Sequence, residues 1–177
     1  MKAGSFWPSP SSVATIPARA AATPLRTAAD WPPLQGADWL EGGVGNDGLY
    51  GGRGTDTLFG GEGEDRLFGN MASDVLYGGA GNDLLYGGQG DDVLSGGAGD
   101  DVLSGDLGAD RYVFGAGEGR DLVLGFSADQ GDRLDLQGQS YTVATAADGS
   151  ALLQLSGGGS VELAGWNAQQ ISNTMFA

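Results

Sequence analysis

Along the middle of the chain an apolar residue returns at every ninth position: Leu40, Leu49, Leu58, Leu67, Leu76, Leu85, Leu94 and Leu103, with Tyr112 in the same place one unit later. A spacing of nine fits neither a 3.6-residue helical period nor the alternation of a long strand. It does fit a strand of three residues, x-Leu-x, whose middle side chain points opposite to its neighbours. The six residues between such strands read Gly-Gly-x-Gly-x-Asp, and glycine supplies the positive-φ backbone that tight turns need. Two units then make one coil of turn, strand, turn and strand, 18 residues long. Stacking the coils brings the Leu side chains together between two short-stranded sheets. The pattern therefore predicts an all-β chain built as a parallel β-roll, a right-handed solenoid of 18-residue coils over residues 34–113. At a strand spacing of ~4.8 Å the stack is roughly 20 Å long.

The polar positions are as regular as the apolar ones. The sixth residue of every unit is aspartate: Asp38, Asp47, Asp56, Asp65, Asp74, Asp83, Asp92, Asp101 and Asp110. Glycine stands at the first, second and fourth places as Gly42, Gly43 and Gly45, then Gly51, Gly52 and Gly54, then Gly60, Gly61 and Gly63. After a gap it returns as Gly78, Gly79 and Gly81, then Gly87, Gly88 and Gly90, then Gly96, Gly97 and Gly99. The gap is the unit 69–77, where Asn70 and Ala72 replace two glycines. Successive units alternate between the two edges of the roll. Asp47, Asp65, Asp83 and Asp101 then stack on one edge, and Asp38, Asp56, Asp74, Asp92 and Asp110 on the other.

Such columns are electrostatically unfavourable. Like charges about 5 Å apart repel by ~3 kcal/mol at an effective dielectric near 20. Burying one Leu per unit contributes about 1.5–3 kcal/mol, less than the entropy of ordering nine backbones, several of them glycine. A divalent cation between stacked aspartates would turn the repulsion into attraction. The donors at hand are carboxylates and glycine-turn carbonyls, all oxygen, which suits Ca²⁺ better than Mg²⁺ or Zn²⁺. Asp and Gly also dominate ordinary turns, which leaves a metal-free reading open. That reading does not explain why the sixth place never becomes Asn or Ser.

Composition narrows the chemistry further. Of 177 residues 35 are Gly, none is His or Cys, and 23 acids against 8 bases give a net charge of −15. No His-based triad, His-ligated metal, disulfide framework or thiol chemistry is available. So acidic a chain is a poor binder of nucleic acid or anionic membrane. No apolar run is long enough to span a bilayer, and none after Lys2 reads as a Sec signal peptide. Residues 1–33 are rich in Ala, Pro, Ser and Thr and carry a net charge of +2, from Lys2, Arg19 and Arg26 against Asp30. They read as a disordered leader or linker. No catalytic constellation is present, so the chain is not expected to be an enzyme in itself.

The repeat G-G-x-G-x-D-x-L-x resembles the RTX family, the haemolysin-type calcium-binding nonapeptide repeats of type I-secreted bacterial proteins. The resemblance implies that turn carbonyls of one coil and aspartates of neighbouring coils share each ion. With four intervals in one column and three in the other, it implies about seven Ca²⁺ sites. It also implies extracellular, secreted protein, calcium-driven folding outside the cell, and export through a type I (ABC) exporter that reads an uncleaved C-terminal signal.

The C-terminal third, residues 114–177, supports the same resemblance. Arg120-Asp121-Leu122-Val123-Leu124-Gly125-Phe126 and Gly131-Asp132-Arg133-Leu134-Asp135-Leu136 are similar to the segment that follows the family's repeats, with Gly125 in place of an expected aspartate. Three strands are predicted at Tyr141–Thr145, Ala151–Leu155 and Ser160–Ala164, separated by Asp148-Gly149 and Gly157–Gly159 turns. They read as an antiparallel cap over the open end of the roll. The tail after Leu163 resembles the export region.

Family modules of this kind also form the C-terminal part of secreted proteases, lipases and alginate epimerases, so the chain is either a stand-alone protein or the end of a larger parent. A second reading rests on the ninth position. There Tyr50, Phe68 and Tyr86 line one face and Phe59 and Tyr77 the other. Outward aromatic rows of this kind either pack on one another or hold a polysaccharide or cell surface.

Overall fold

The computed structural model describes residues 35–177; the leader expected over 1–33 lies outside them. Eight strands of six residues follow one another: β1 (Trp39–Val44), β2 (Gly48–Arg53), β3 (Thr57–Glu62), β4 (Arg66–Met71), β5 (Val75–Ala80), β6 (Leu84–Gln89), β7 (Val93–Ala98) and β8 (Val102–Leu107). Odd and even strands separate into two parallel sheets, each strand pairing with the one 18 residues away, as in Leu40 with Leu58 and Leu49 with Leu67. The period of nine thus yields the coil of 18 that was expected.

The strands are twice the expected length. The Gly-Gly-x segment reads as turn in the sequence, yet its backbone pairs with the next coil, as in Gly43 with Gly61 and Val44 with Glu62. Only Gly-x-Asp remains as a turn. Pairing skips the first glycine of the unit, so each strand is two short ladders with a bend at that residue. The second and fourth glycines do take positive φ, 101° at Gly43 and 113° at Gly45. The first does not. In the irregular unit, Asn70 and Ala72 are held at φ 80° and 76°. Ala72 has no side-chain hydrogen bond to offset that left-handed strain.

Leu58, Leu67, Leu76, Leu85, Leu94 and Leu103 are completely buried between the sheets. Tyr112 continues the row, and its hydroxyl accepts the Gly105 N–H at 2.9 Å. Beyond it the stacks go on without the nonapeptide: β9 (Arg111–Val113) pairs with β11 (Arg133–Asp135), and β10 (Arg120–Leu124) pairs with β8.

The last three strands, β12 (Tyr141–Thr145), β13 (Ala151–Leu155) and β14 (Ser160–Leu163), form antiparallel hairpins close to the predicted positions. They do not lie across the roll as a separate lid. β14 joins β10 in parallel, so the hairpins lengthen one sheet to the order β12-β13-β14-β10-β8-β6-β4-β2. Leu153, Leu155, Val161 and Leu163 close the core with Phe126 and Leu134. The opposite sheet, β1-β3-β5-β7-β9-β11, ends at the C-terminal tail. There Met175 is buried and the Ala177 N–H donates to the Leu134 carbonyl at 3.0 Å.

Candidate metal centre

Each Gly-x-Asp turn delivers its aspartate to the edge of the roll, directly beside the aspartate of the next coil. The Asp38 N–H donates to Asp56 Oδ1 at 2.8 Å, Asp56 to Asp74 at 2.7 Å, Asp74 to Asp92 at 2.8 Å and Asp92 to Asp110 at 2.9 Å. On the other edge Asp47 donates to Asp65 at 2.7 Å, Asp65 to Asp83 at 2.8 Å and Asp83 to Asp101 at 2.8 Å. These are the two columns that the alternation of units predicts. Both run one residue further than the repeats, because the Asp101 N–H donates to Asp121 and the Asp110 N–H to Asp132.

From Asp56 to Asp110 only one oxygen of each carboxylate is used. The Oδ2 atoms of Asp38, Asp47, Asp56, Asp65, Asp74, Asp83, Asp92, Asp101 and Asp110 are buried and have no hydrogen-bond partner. A buried polar atom left unpaired is costly, the more so on a charged group. Asp132 differs, since its Oδ2 accepts the Ser127 N–H at 2.8 Å and closes that column.

The first glycine of each unit makes the room. A Cβ on Gly51 would lie 2.5 Å from Asp56 Oδ2 and 2.9 Å from the Gly69 carbonyl oxygen. One on Gly42 would lie 2.9 Å from Asp47 Oδ2 and 2.5 Å from the Gly60 carbonyl oxygen. That glycine is needed for space, whereas the sequence reading assigned all three to positive φ. Gly60 and Gly78 repeat the arrangement, as does Gly69; at Gly87, Gly96 and Gly105 the aspartate itself crowds the Cβ position, and Gly69 and Gly105 were not among the expected site residues. Gly43, Gly45, Gly52, Gly54, Gly61, Gly63, Gly79, Gly81, Gly88, Gly90, Gly97 and Gly99 all take positive φ, and most press against the carbonyl of the coil before.

Burial, opposed by the N–H each carboxylate accepts and reinforced by neighbouring acids, sets their protonation. It pushes Asp83 and Asp92 up to about 7 and Asp56, Asp74, Asp101 and Asp110 up to about 6. Asp38 and Asp65 are raised for the same first cause. Asp135 goes the other way, lowered by its ion pair with Arg111.

The donor set fits a hard cation. Among the described residues no three acidic side chains meet at one point, so an ion here would draw on main-chain oxygen as well as carboxylate. The orphaned Oδ2 atoms and the glycine carbonyls beside them supply that mixture, which is the one calcium accepts. A second, exposed ladder escaped the sequence reading. The fifth residue of a unit caps the next coil: Asn46 Oδ1 accepts the Glu64 N–H at 3.0 Å, Ser73 Oγ that of Asp91 at 3.1 Å and Asn82 Oδ1 that of Asp100 at 2.9 Å. The varied residue types at that place hide the pattern from inspection of the sequence.

Fold and site together define a parallel β-roll with oxygen-lined turns. The chain belongs to the RTX calcium-binding nonapeptide repeat family, whose model matches in four overlapping copies at residues 34–67, 50–85, 68–103 and 86–123. The resemblance drawn from the nonapeptide is thereby borne out. The chain is similar to the AlgE6R3 subunit of the mannuronan C5-epimerase of Azotobacter vinelandii, at 29% identity over 77% of this chain and 80% of that one, with a TM-score of 0.50. The AlgE6R2 subunit of the same epimerase matches at 27% identity over 82% of this chain and 91% of its own, with a TM-score of 0.44. The extracellular lipase LipA of Serratia marcescens matches at 19% identity over 80% of this chain and 38% of the lipase, with a TM-score of 0.41. No curated protein sequence matches the chain.

The raised carboxylates give a pH dependence with a definite sign. Their folded values lie above the unfolded ~3.9, so the folded state without metal holds more protons. Its stability is greatest below the unfolded value and is lost as pH rises through about 6 to 7. In chelator, circular dichroism should therefore show more β-structure at pH ~4 than at pH ~7.5. A spectrum that does not change over that range, or that loses β-structure on acidification, contradicts the assignment.

Proposed function

We propose that this chain is a calcium-folded module that acts outside the cell and leaves it through a type I (ABC) exporter. The observation that carries the reading is the set of nine buried, unpartnered Oδ2 atoms. Asp38, Asp47, Asp56, Asp65, Asp74, Asp83, Asp92, Asp101 and Asp110 hold the ions together with the carbonyls of the glycine turns. Bound Ca²⁺ supplies positive charge between stacked carboxylates. The residues do the rest: Oδ1 ties the carboxylates from Asp56 onwards to the coil before, the first glycine leaves the space, and the Leu row closes the core. The orphaned oxygens leave four intervals in one column and three in the other, which gives about seven sites. Extracellular modules bind calcium at ~10⁻⁴–10⁻³ M, so a chain of this kind stays unfolded in the cytosol and folds after export. The repeat module is structural rather than catalytic. None of the described helices is long and apolar enough to cross a membrane.

Calcium titration followed by circular dichroism is expected to convert an unfolded chain into β-structure, with Mg²⁺ a poor substitute. Asp83 has column neighbours on both sides and serves two ions, while Asp38 begins its column and serves one. Asp83→Asn should therefore raise the calcium midpoint more than Asp38→Asn. Asp74→Asn should cost less than Asp83→Asn, because the loop before Asp74 already carries Ala72 at φ 76°. Equal shifts would mean a diffuse charge effect, and an unchanged β-rich spectrum after exhaustive chelation would remove the metal from the account.

Export has its own test. Deleting residues 167–177 should abolish secretion through a co-expressed type I exporter while leaving calcium binding in place. Normal yield of the truncated chain in the medium would show that the tail is not the signal.

A further inference from the structure

Two residues break the glycine rule in a way the calcium columns do not explain. The second place of the unit is glycine except at Asn70 and Asp106, and both substitutes sit at positive φ, 80° and 70°. They fall on the same sheet and flank the same residue: Asn70 pairs with Gly88, and Gly88 with Asp106. Left-handed backbone disfavours any side chain, less so Asn and Asp. Observed strain of this kind points towards a function for the side chains placed there.

What they frame is a groove of about 650 Å³ on the outer face of β4, β6 and β8. Gly88 lines it in register between Asn70 and Asp106, which lie about 10 Å apart at two strand spacings. Phe68 and Tyr86 form one wall. Met71 and Leu107 border the other, exposed at 44% and 59%.

The aromatic wall belongs to a stacked row that ends at Tyr86. Tyr50, Phe68 and Tyr86 stack nearly parallel, with centroids 4.9 and 5.5 Å apart and interplanar angles of 5° and 7°. Their facing surfaces cover one another, so the row as a whole cannot receive a flat ligand. It stops at Tyr86, whose register partner on β8 is Ser104. Ser104 carries no ring to continue the row beyond Tyr86 and donates from Oγ to Asp106 Oδ1 at 2.7 Å. Asn70 Nδ2 donates to the Phe68 carbonyl at 3.0 Å. Asp106 Oδ2 and Asn70 Oδ1 are left to meet a ligand.

We propose that this groove is a binding site for a neutral saccharide. The apolar face of one sugar ring rests on the Tyr86 ring at the end of the row, and adjacent hydroxyls donate to Asp106 and Asn70. An anionic sugar is disfavoured, because no Lys or Arg lines the groove and the chain carries a net charge of −15. The site goes beyond calcium-driven folding and needs only that the roll be folded.

The test is calorimetric titration of the full chain in millimolar Ca²⁺, with folding checked by circular dichroism in the same samples. The probes are cello-, malto- and laminari-oligosaccharides, with oligouronates as the anionic comparison. One neutral series should bind and the oligouronates should not. Tyr86→Ser, which places at 86 the residue the fold already carries at 95 and 104, should weaken that binding roughly tenfold or more. Asp106→Gly should weaken it similarly while raising the thermal midpoint, since glycine relieves the left-handed strain. The proposal fails if no neutral series binds to the folded roll, if oligouronates bind more tightly, or if both variants bind as the parent does. It fails equally if the only groove-dependent event, read by sedimentation, is self-association.

Discussion

Everything in this molecule turns on columns of like charge held one strand spacing apart in a place shielded from water. From the second coil on, each repeat aspartate spends one carboxylate oxygen on the backbone of the coil before it and turns the other inwards with no partner. The first bond fixes the coils in register. The second oxygen leaves a standing electrostatic cost that grows with every coil added. A solenoid with a single Leu per nine residues has little else with which to offset it. Burial raises these carboxylates towards neutrality, which shows the same cost from the side of protonation. Protons and divalent cations relieve it by different means, and as pH rises through about 7 the protons leave and only cations remain.

The glycines follow from the carboxylates rather than from turn geometry alone. The first glycine of each unit has ordinary φ and is small because the aspartate, joined in the earlier coils by a carbonyl of the next coil, occupies the space where a Cβ would stand. The second and fourth take positive φ in crowded contact with the preceding coil. A residue heavier than glycine is then tolerated only at an outward place and at a cost. That is why Asn70, Ala72 and Asp106 stand out.

Much of this was legible because two periods coincide. A nine-residue repeat of Leu and Asp, folded into an 18-residue coil, places every Leu inside and every Asp over another Asp, whatever the detailed backbone. The turns Asp148-Gly149 and Gly157–Gly159 likewise bounded the last strands within one residue. The strand length was not legible, since Gly-Gly-x carries no side-chain signal for pairing and its ladder is visible only in three dimensions. Nor was the extension of both columns to Asp121 and Asp132. There the steps become 20 and 22 residues, and an insertion hides a register that the backbone preserves. That the row is a continuous stack ending at Tyr86 depended on ring geometry that the sequence does not carry.

The central claim is that the unpartnered Oδ2 atoms are cation ligands, and it can be seen directly. Crystals grown in calcium and measured at a wavelength where calcium scatters anomalously should show density peaks along both columns. Each should lie about 2.3–2.6 Å from an aspartate Oδ2, with glycine carbonyl oxygens completing the shell. Peaks confined to the exposed outer acids, or columns without peaks at saturating calcium, would contradict it.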